Sequence, residues 1–157
     1  MSRTLMTAEA IQEYILAHFA DTVAATVWGE TAFFYNPASV LPRGVYFATL
    51  KEQDGANDRA SHLNRPGTYR LNIGVSRSTY EQHFGKPPER PTAGGVVATG
   101  HDFTRVGELL PHPVYAWMGW VGILNPEEDA FDRVKPLLAE AYTLAVHKFE
   151  KRLKSRK

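Results

Sequence analysis

Apolar residues at Ile11, Tyr14, Ile15 and Phe19 recur with helical spacing behind Thr7, a residue suited to cap a helix, and predict a first helix ending near His18. The period then changes. TVAATVW and TAFFY are β-rich runs on either side of Gly29-Glu30, a pair that predicts a type II′ hairpin with Gly29 at its first central position. GVYFATLK predicts a third strand after the Pro- and Gly-punctuated stretch 36–44. The polar loop EQDGANDRASHLNRPG leads from it to a fourth strand, Tyr69 to Ile73.

Beyond that strand, Gly74-Val75-Ser76 raises the question of a nucleophile elbow. The motif needs a second glycine where this chain has Ser78, and both serines are natural N-caps for a helix through Tyr80 and Phe84, with Ser78 and Glu81 spelling a capping box and Gly85 a stop. Ser76 is therefore read as a helix cap. Residues 85–100 are rich in proline and glycine and predict a long mobile connection, followed by a short helix at Phe103 to Leu110 and a fifth strand, the apolar run Tyr115 to Leu124. Asn125-Pro126-Glu127-Glu128 opens a last helix, with Asn125 as N-cap and Pro126 at its first position. Its stripe is Phe131, Val134, Leu138, Ala141, Tyr142, Ala145 and Phe149, and Pro136 inside it predicts a kink or two abutting helices. The order reads as α+β: a two-layer sandwich with a mostly antiparallel sheet of about five strands and helices on one face, one domain over 1–150 followed by a basic tail over 151–157.

Composition narrows the function classes. A chain of 157 residues with 43% apolar content needs no staple, and the absence of cysteine excludes thiolate chemistry and fits a reducing cytoplasm. No stretch predicts a membrane span or a signal peptide. Six of the 18 Lys and Arg and one of the 17 acids lie in the last ten residues, so positions 1–147 hold 12 basic and 16 acidic residues. A body about four charges negative disfavours nucleic acid, and the basic end itself suits the C-terminal dipole of a helix.

No metal or nucleotide motif appears, so no cofactor is expected: the six histidines show no i, i+3 or i, i+4 pair, and no glycine-rich phosphate loop is present. What remains is polar residues beside aromatics. On the fourth strand the two-residue period sets Arg70 and Asn72 on the face opposite Leu71 and Ile73, while His112, Tyr115, Trp117 and Trp120 lie in or just before the fifth. Such a set could line a cleft, with Arg70 for an anion, Asn72 and His112 for orienting hydrogen bonds, and an indole for stacking. The plain structural alternative has Arg70 paired with an acid, His112 bonded to loop carbonyls and the indoles in the core. Phe33-Phe34 and Tyr46-Phe47 must each point to opposite faces, so the face away from the helices carries large apolar groups that a loop, a second subunit or a bound molecule would cover.

RPGTYRLNIGVSR (Arg65 to Arg77) and LPHPVYAWMGWVGILNP (Leu110 to Pro126) resemble a bacterial family of short proteins known only as a domain of unknown function, with the resemblance running from Ile11 to Val146; that family often has an acid where this chain has Asn64. More distantly, the element order, the strand-cap-helix at Arg70 to Phe84 and the final helix around Ala141-Tyr142 are similar to the MmcQ/YjbR group. That resemblance implies a compact α+β fold related to secretion chaperones and a double-wing DNA-binding role; it supplies no catalytic residue. The function expected is a non-catalytic binding or interaction module, monomeric or homodimeric, that holds a small anionic or aromatic ligand or a protein partner on its sheet face. The alternatives are DNA binding through Lys148 to Lys157 and a cofactor-independent enzyme using His112 as acid or base.

Overall fold

A computed structural model of the protein describes residues 4–155; Arg156 and Lys157 of the expected basic tail lie outside the described residues. Helix α1, Ala8–His18, starts where Thr7 Oγ1 accepts the Ala10 N–H at 3.0 Å and buries Ile11 and Ile15. Strands β1 (Thr22–Val27), β2 (Glu30–Tyr35), β3 (Val45–Lys51) and β4 (Arg70–Gly74) follow, then helix α2 (Arg77–Phe84), strands β5 (Leu109–Pro111) and β6 (Trp120–Leu124), and helix α3 (Glu128–Ser155). The six strands form one open sheet in the order β1-β2-β3-β4-β6-β5, every neighbouring pair antiparallel. Helices α1 and α3 are packed in one apolar core with the inner sheet face: Phe33, Phe47, Leu71, Ile73, Val121 and Ile123 meet Ile11, Ile15, Phe131, Leu138 and Phe149. Each such side chain stabilises the fold by about 1.5–3 kcal/mol through the apolar surface it removes from water.

Several elements differ from expectation for identifiable reasons. The β1–β2 turn is Trp28-Gly29, one residue earlier than expected, because Val27 pairs with Glu30 and both turn residues take positive φ (54° and 76°), the requirement of a type I′ turn. The expected helix at Phe103 to Leu110 is absent. An Asp102 turn, in which Thr104 N–H reaches Oδ1 at 3.0 Å, leads instead to β5, a sixth strand at the sheet edge where Pro111 is tolerated. The expected strand over Tyr115 to Leu124 begins only at Trp120, since Ala116–Met118 form a 3-10 turn that ends at Gly119 with φ 91°. A Cβ at Gly119 would lie 2.9 Å from the Val75 carbonyl oxygen, so glycine is needed there for space as well as conformation.

Helix α3 runs unbroken through Pro136. Its start is also different: Asn125, at φ 39°, is not a cap but ties its Oδ1 to the Tyr69 N–H at 3.1 Å and its Nδ2 to the Gly67 carbonyl at 2.7 Å. The N-terminal segment does the capping, with Thr4 O accepting the Glu128 N–H at 2.8 Å. Residues 151–155, read in sequence as tail, are the last turn of α3, where Arg152 donates to the Gly44 carbonyl at 3.1 Å.

The outer face carries the chemistry. Alternation along β4 puts Arg70 and Asn72 there, and the strand register sets Lys51 and Thr49 of β3 beside them. Between Phe33 and Phe34 the β2–β3 pairing steps from Ala48 to Tyr46 and skips Phe47. This bulge keeps Phe47 in the core and turns Tyr46 outward, toward Phe34 and Trp120.

Candidate functional site

Arg70 is 1% exposed, and a cation removed so fully from water must be paired. The partner comes from the 52–67 loop. Nη1 donates to Asp58 Oδ1 at 3.1 Å and to Ser61 Oγ at 2.9 Å, Nη2 donates to Asp58 Oδ2, and Nε donates to Asn72 Oδ1 at 2.6 Å. Nη2 also lies 3.3 Å from His112 Nε2. Asn72 passes the chain on, donating through Nδ2 to Thr49 Oγ1 at 3.0 Å. Gly122 of β6 makes room beneath: a Cβ there would stand 3.0 Å from Asn72 Oδ1 and 3.1 Å from Arg70 Cδ. Burial pushes the Asp58 carboxyl up, but the charge and hydrogen bonds of Arg70 outweigh it, with Lys51 adding to them, and hold the carboxyl below its ordinary value.

His112 follows β5 and is buried. Its Nδ1 accepts the Val114 and Tyr115 backbone N–H groups at 3.1 Å each, which places the ring proton on Nε2, with Asp58 Oδ2 3.9 Å away. Burial first, and then the Arg70 charge, lower the histidine well below its ordinary pKa, so it is a neutral ring at pH 7.

Above this floor lies a slot of about 230 Å³ lined by Trp28, Glu30, Tyr46, Thr49, His112, Tyr115, Met118 and Trp120. The rings meet in two groups: Trp28 stands at 62° to Tyr46 with centroids 5.2 Å apart and Tyr46 is stacked with Trp120 at 5.5 Å, while Tyr115 packs on His112 at 5.1 Å. The mouth is open, with Trp28 57% and Tyr115 47% exposed. Burial, followed by the nearby Tyr115 and Glu30, raises the Tyr46 phenol and keeps it neutral. Among the described residues, Glu30 is the one charged side chain on the lining, and its carboxylate lies 3.8 Å from Lys51 Nζ.

The segments that build this floor and these walls fall within residues 6–154, the stretch matched by the model of a family of unknown function, DUF6194. The chain belongs to that family. No curated protein and no solved structure matches the chain. Among the described residues of this DUF6194 chain no helix is long and apolar enough to cross a membrane, and no group of three or more His, Cys, Asp or Glu could hold a metal ion.

Of the residues singled out in the sequence, His112, Tyr115 and Trp120 share the slot, while Arg70 and Asn72 lie within the network next to its floor. Arg70 is not open to an anion, because Asp58, Ser61 and Asn72 occupy its donors. Trp117 sits elsewhere, packed against the core with the Arg90 guanidinium 5.0 Å over its ring. The 3-10 turn separates it from its neighbours: residues three apart eclipse in such a turn, so Tyr115 and Met118 share the slot side and Trp117 does not. Ser76 is the N-cap of α2, its Oγ accepting the Thr79 N–H at 3.1 Å, and Glu140 of α3 accepts the Ser76 N–H at 2.8 Å. Ser78 and Glu81 form no capping box; Glu81 pairs with Arg77 at 3.0 Å.

Trp28, Glu30, Tyr46, Thr49, Asp58 and Met118 were not singled out as site residues. Tyr46 had a signal, since its adjacency to Phe47 requires one of the two to face outward. Thr49 follows only once the β3–β4 register is known, and Asp58 lies in a polar loop with no periodicity.

Proposed function

We propose that the protein is a non-catalytic binding module whose site is the aromatic slot, and that it holds a small molecule with its apolar body among Trp28, Tyr46, Tyr115 and Trp120 and a polar end toward Thr49 and His112. The observation that carries this reading is the convergence of four aromatic side chains from three separate parts of the chain on one open slot with a polar floor. Trp28 adds weight to it. A tryptophan at positive φ costs about 1–3 kcal/mol, and such strain concentrates at ligand-binding positions. The buried Arg70–Asp58 pair is read as the rigid base of the site, holding β4, β6 and the 52–67 loop in place.

Acid–base catalysis by His112 is the weaker reading, because a ring kept neutral by burial and by a neighbouring guanidinium is a poor base near neutrality. The kinship to MmcQ/YjbR proteins belongs to this proposal as fold ancestry, on the order of elements from α1 to α2 and the antiparallel sheet. Its double-wing DNA role is not carried over, since the body is acidic. A cytoplasmic location, and a monomer or homodimer, complete the reading.

The test is a thermal-shift and fluorescence screen of small flat probes, indole and quinoline among them, on wild type and Trp120→Leu. Wild type is expected to be stabilised and its fluorescence quenched by at least one probe, with the response lost in the variant. Equal responses in both proteins would place binding elsewhere, and silence across the screen would remove the reading.

A further inference from the structure

Resting on the slot as a small-molecule site, the charge on its walls narrows what it can hold. Among the described residues, Glu30 is the one charged residue lining it. The cations near it stay off the lining: Arg70 is bound to Asp58 in the floor, the buried Lys51 is paired with Glu30 at 3.8 Å, beyond hydrogen-bond length, and Arg43 lies over the Trp28 ring. The other groups are neutral: two indoles, two phenols, a thioether, a hydroxyl and an imidazole. An anion entering here would meet a carboxylate and the negative faces of aromatic rings. A cation would meet both favourably. The fold already places one on this cluster, with the Arg43 guanidinium 5.6 Å from the Trp28 ring centre.

The kind of cation follows from what the rings lack. A bare ammonium carries three strongly hydrated N–H donors, and the walls offer only the Glu30 carboxylate as a strong acceptor, so dehydration would go uncompensated. A methylated ammonium has few or no N–H groups, is weakly hydrated, and spreads its charge over C–H groups that rest on ring carbon. We propose that the slot takes a small methylated ammonium compound of the choline type, its alkyl shell against Trp28, Tyr46 and Trp120 and its charge directed at Glu30. The hydroxyl of such a ligand has Thr49 Oγ1 in the floor to meet. Thr49 accepts from Asn72, and its own O–H proton has no acceptor among the described residues.

The experiment is calorimetric titration of wild type with choline, with its neutral isostere 3,3-dimethylbutan-1-ol, with 3,3-dimethylbutanoate and with indole. Choline is expected to bind about tenfold or more tightly than the neutral alcohol, and the carboxylate not at all. Glu30→Gln is expected to lose about tenfold toward choline and nothing toward the alcohol. Alcohol binding as tight as choline overturns the cation while leaving a slot that binds apolar molecules. Failure of all four ligands, indole included, overturns the slot itself. Tighter binding of a trimethyllysine peptide than of choline would move the cation from a small molecule to a modified protein and overturn the assignment. The comparison of choline with its isostere is made on unaltered protein, so it decides the matter even if Glu30→Gln fails to fold.

Discussion

Asp58→Ala removes the carboxylate that receives both terminal nitrogens of Arg70 while leaving the guanidinium in place. Arg70 is 1% exposed and keeps only Ser61 Oγ and Asn72 Oδ1 as acceptors, so two of its N–H bonds are lost and its charge is uncompensated. Breaking one side of a buried ion pair costs about 3–5 kcal/mol. Asp58 is itself 13% exposed, so water can reach part of the vacated space, and the lower end, about 3 kcal/mol, is expected. For a chain of this size that is a fall of about 6–12 °C in Tm. Urea unfolding of wild type and variant measures it, with Arg77→Ala as control; that exposed pair with Glu81 is worth less than about 0.5 kcal/mol. The sign with pH is fixed as well. A carboxyl held below its ordinary value contributes fully above about pH 4 and is lost only as pH falls through its lower folded value, so the deficit should be equal at about pH 8 and about pH 5. The double variant Arg70→Met with Asp58→Leu should recover most of the loss, since it leaves no orphaned charge. A deficit below about 1 kcal/mol for Asp58→Ala would refute the pair as the rigid base of the slot.

Further outcomes follow from the same geometry. Below its ordinary value of about 6.5 the unfolded chain protonates His112 while the folded chain refuses the proton, so stability should fall by about 1.4 kcal/mol per pH unit below that value until the folded pKa is reached. Urea melts of wild type and His112→Asn at about pH 7 and about pH 5.5 test this, and equal slopes would refute it. Gly122→Ala should destabilise by about 1–3 kcal/mol in thermal or urea melts, because the new methyl meets Asn72 and Arg70 inside a packed network. Ser76→Ala should cost about 1 kcal/mol through the lost cap and leave any ligand binding unchanged, which separates its structural role from the slot. Trp28→Asn should relieve turn strain and raise Tm while weakening binding of any slot ligand, a trade that melts and titration read together.

Much of the fold was legible because it rests on local chemistry. Thr7 caps α1, the two-residue period of β4 sorts Leu71 from Arg70, and the apolar stripe of α3 is the one that packs. Where two periods compete, the reading slipped. Ala116, Trp117 and Met118 are apolar enough for a strand, yet the requirement for left-handed backbone at Gly119 makes them a turn. Asn125 has the chemistry of a cap and spends it on holding the end of β4 to β6. The site was half visible: residues near β4 and β6 stood out by type, but Asp58 reaches Arg70 from a loop, and Trp28 joins Tyr46 only through hairpin geometry. Such contacts depend on which strands neighbour one another, and no local pattern encodes that.

The three indole N–H signals give the most direct test of the central claim, because Trp28 and Trp120 line the slot and Trp117 does not. In a nitrogen-15 NMR titration with choline, the Trp28 and Trp120 side-chain signals should move together and saturate while Trp117 stays fixed. Movement of Trp117 alone, or of none of the three for choline and indole alike, would contradict the account.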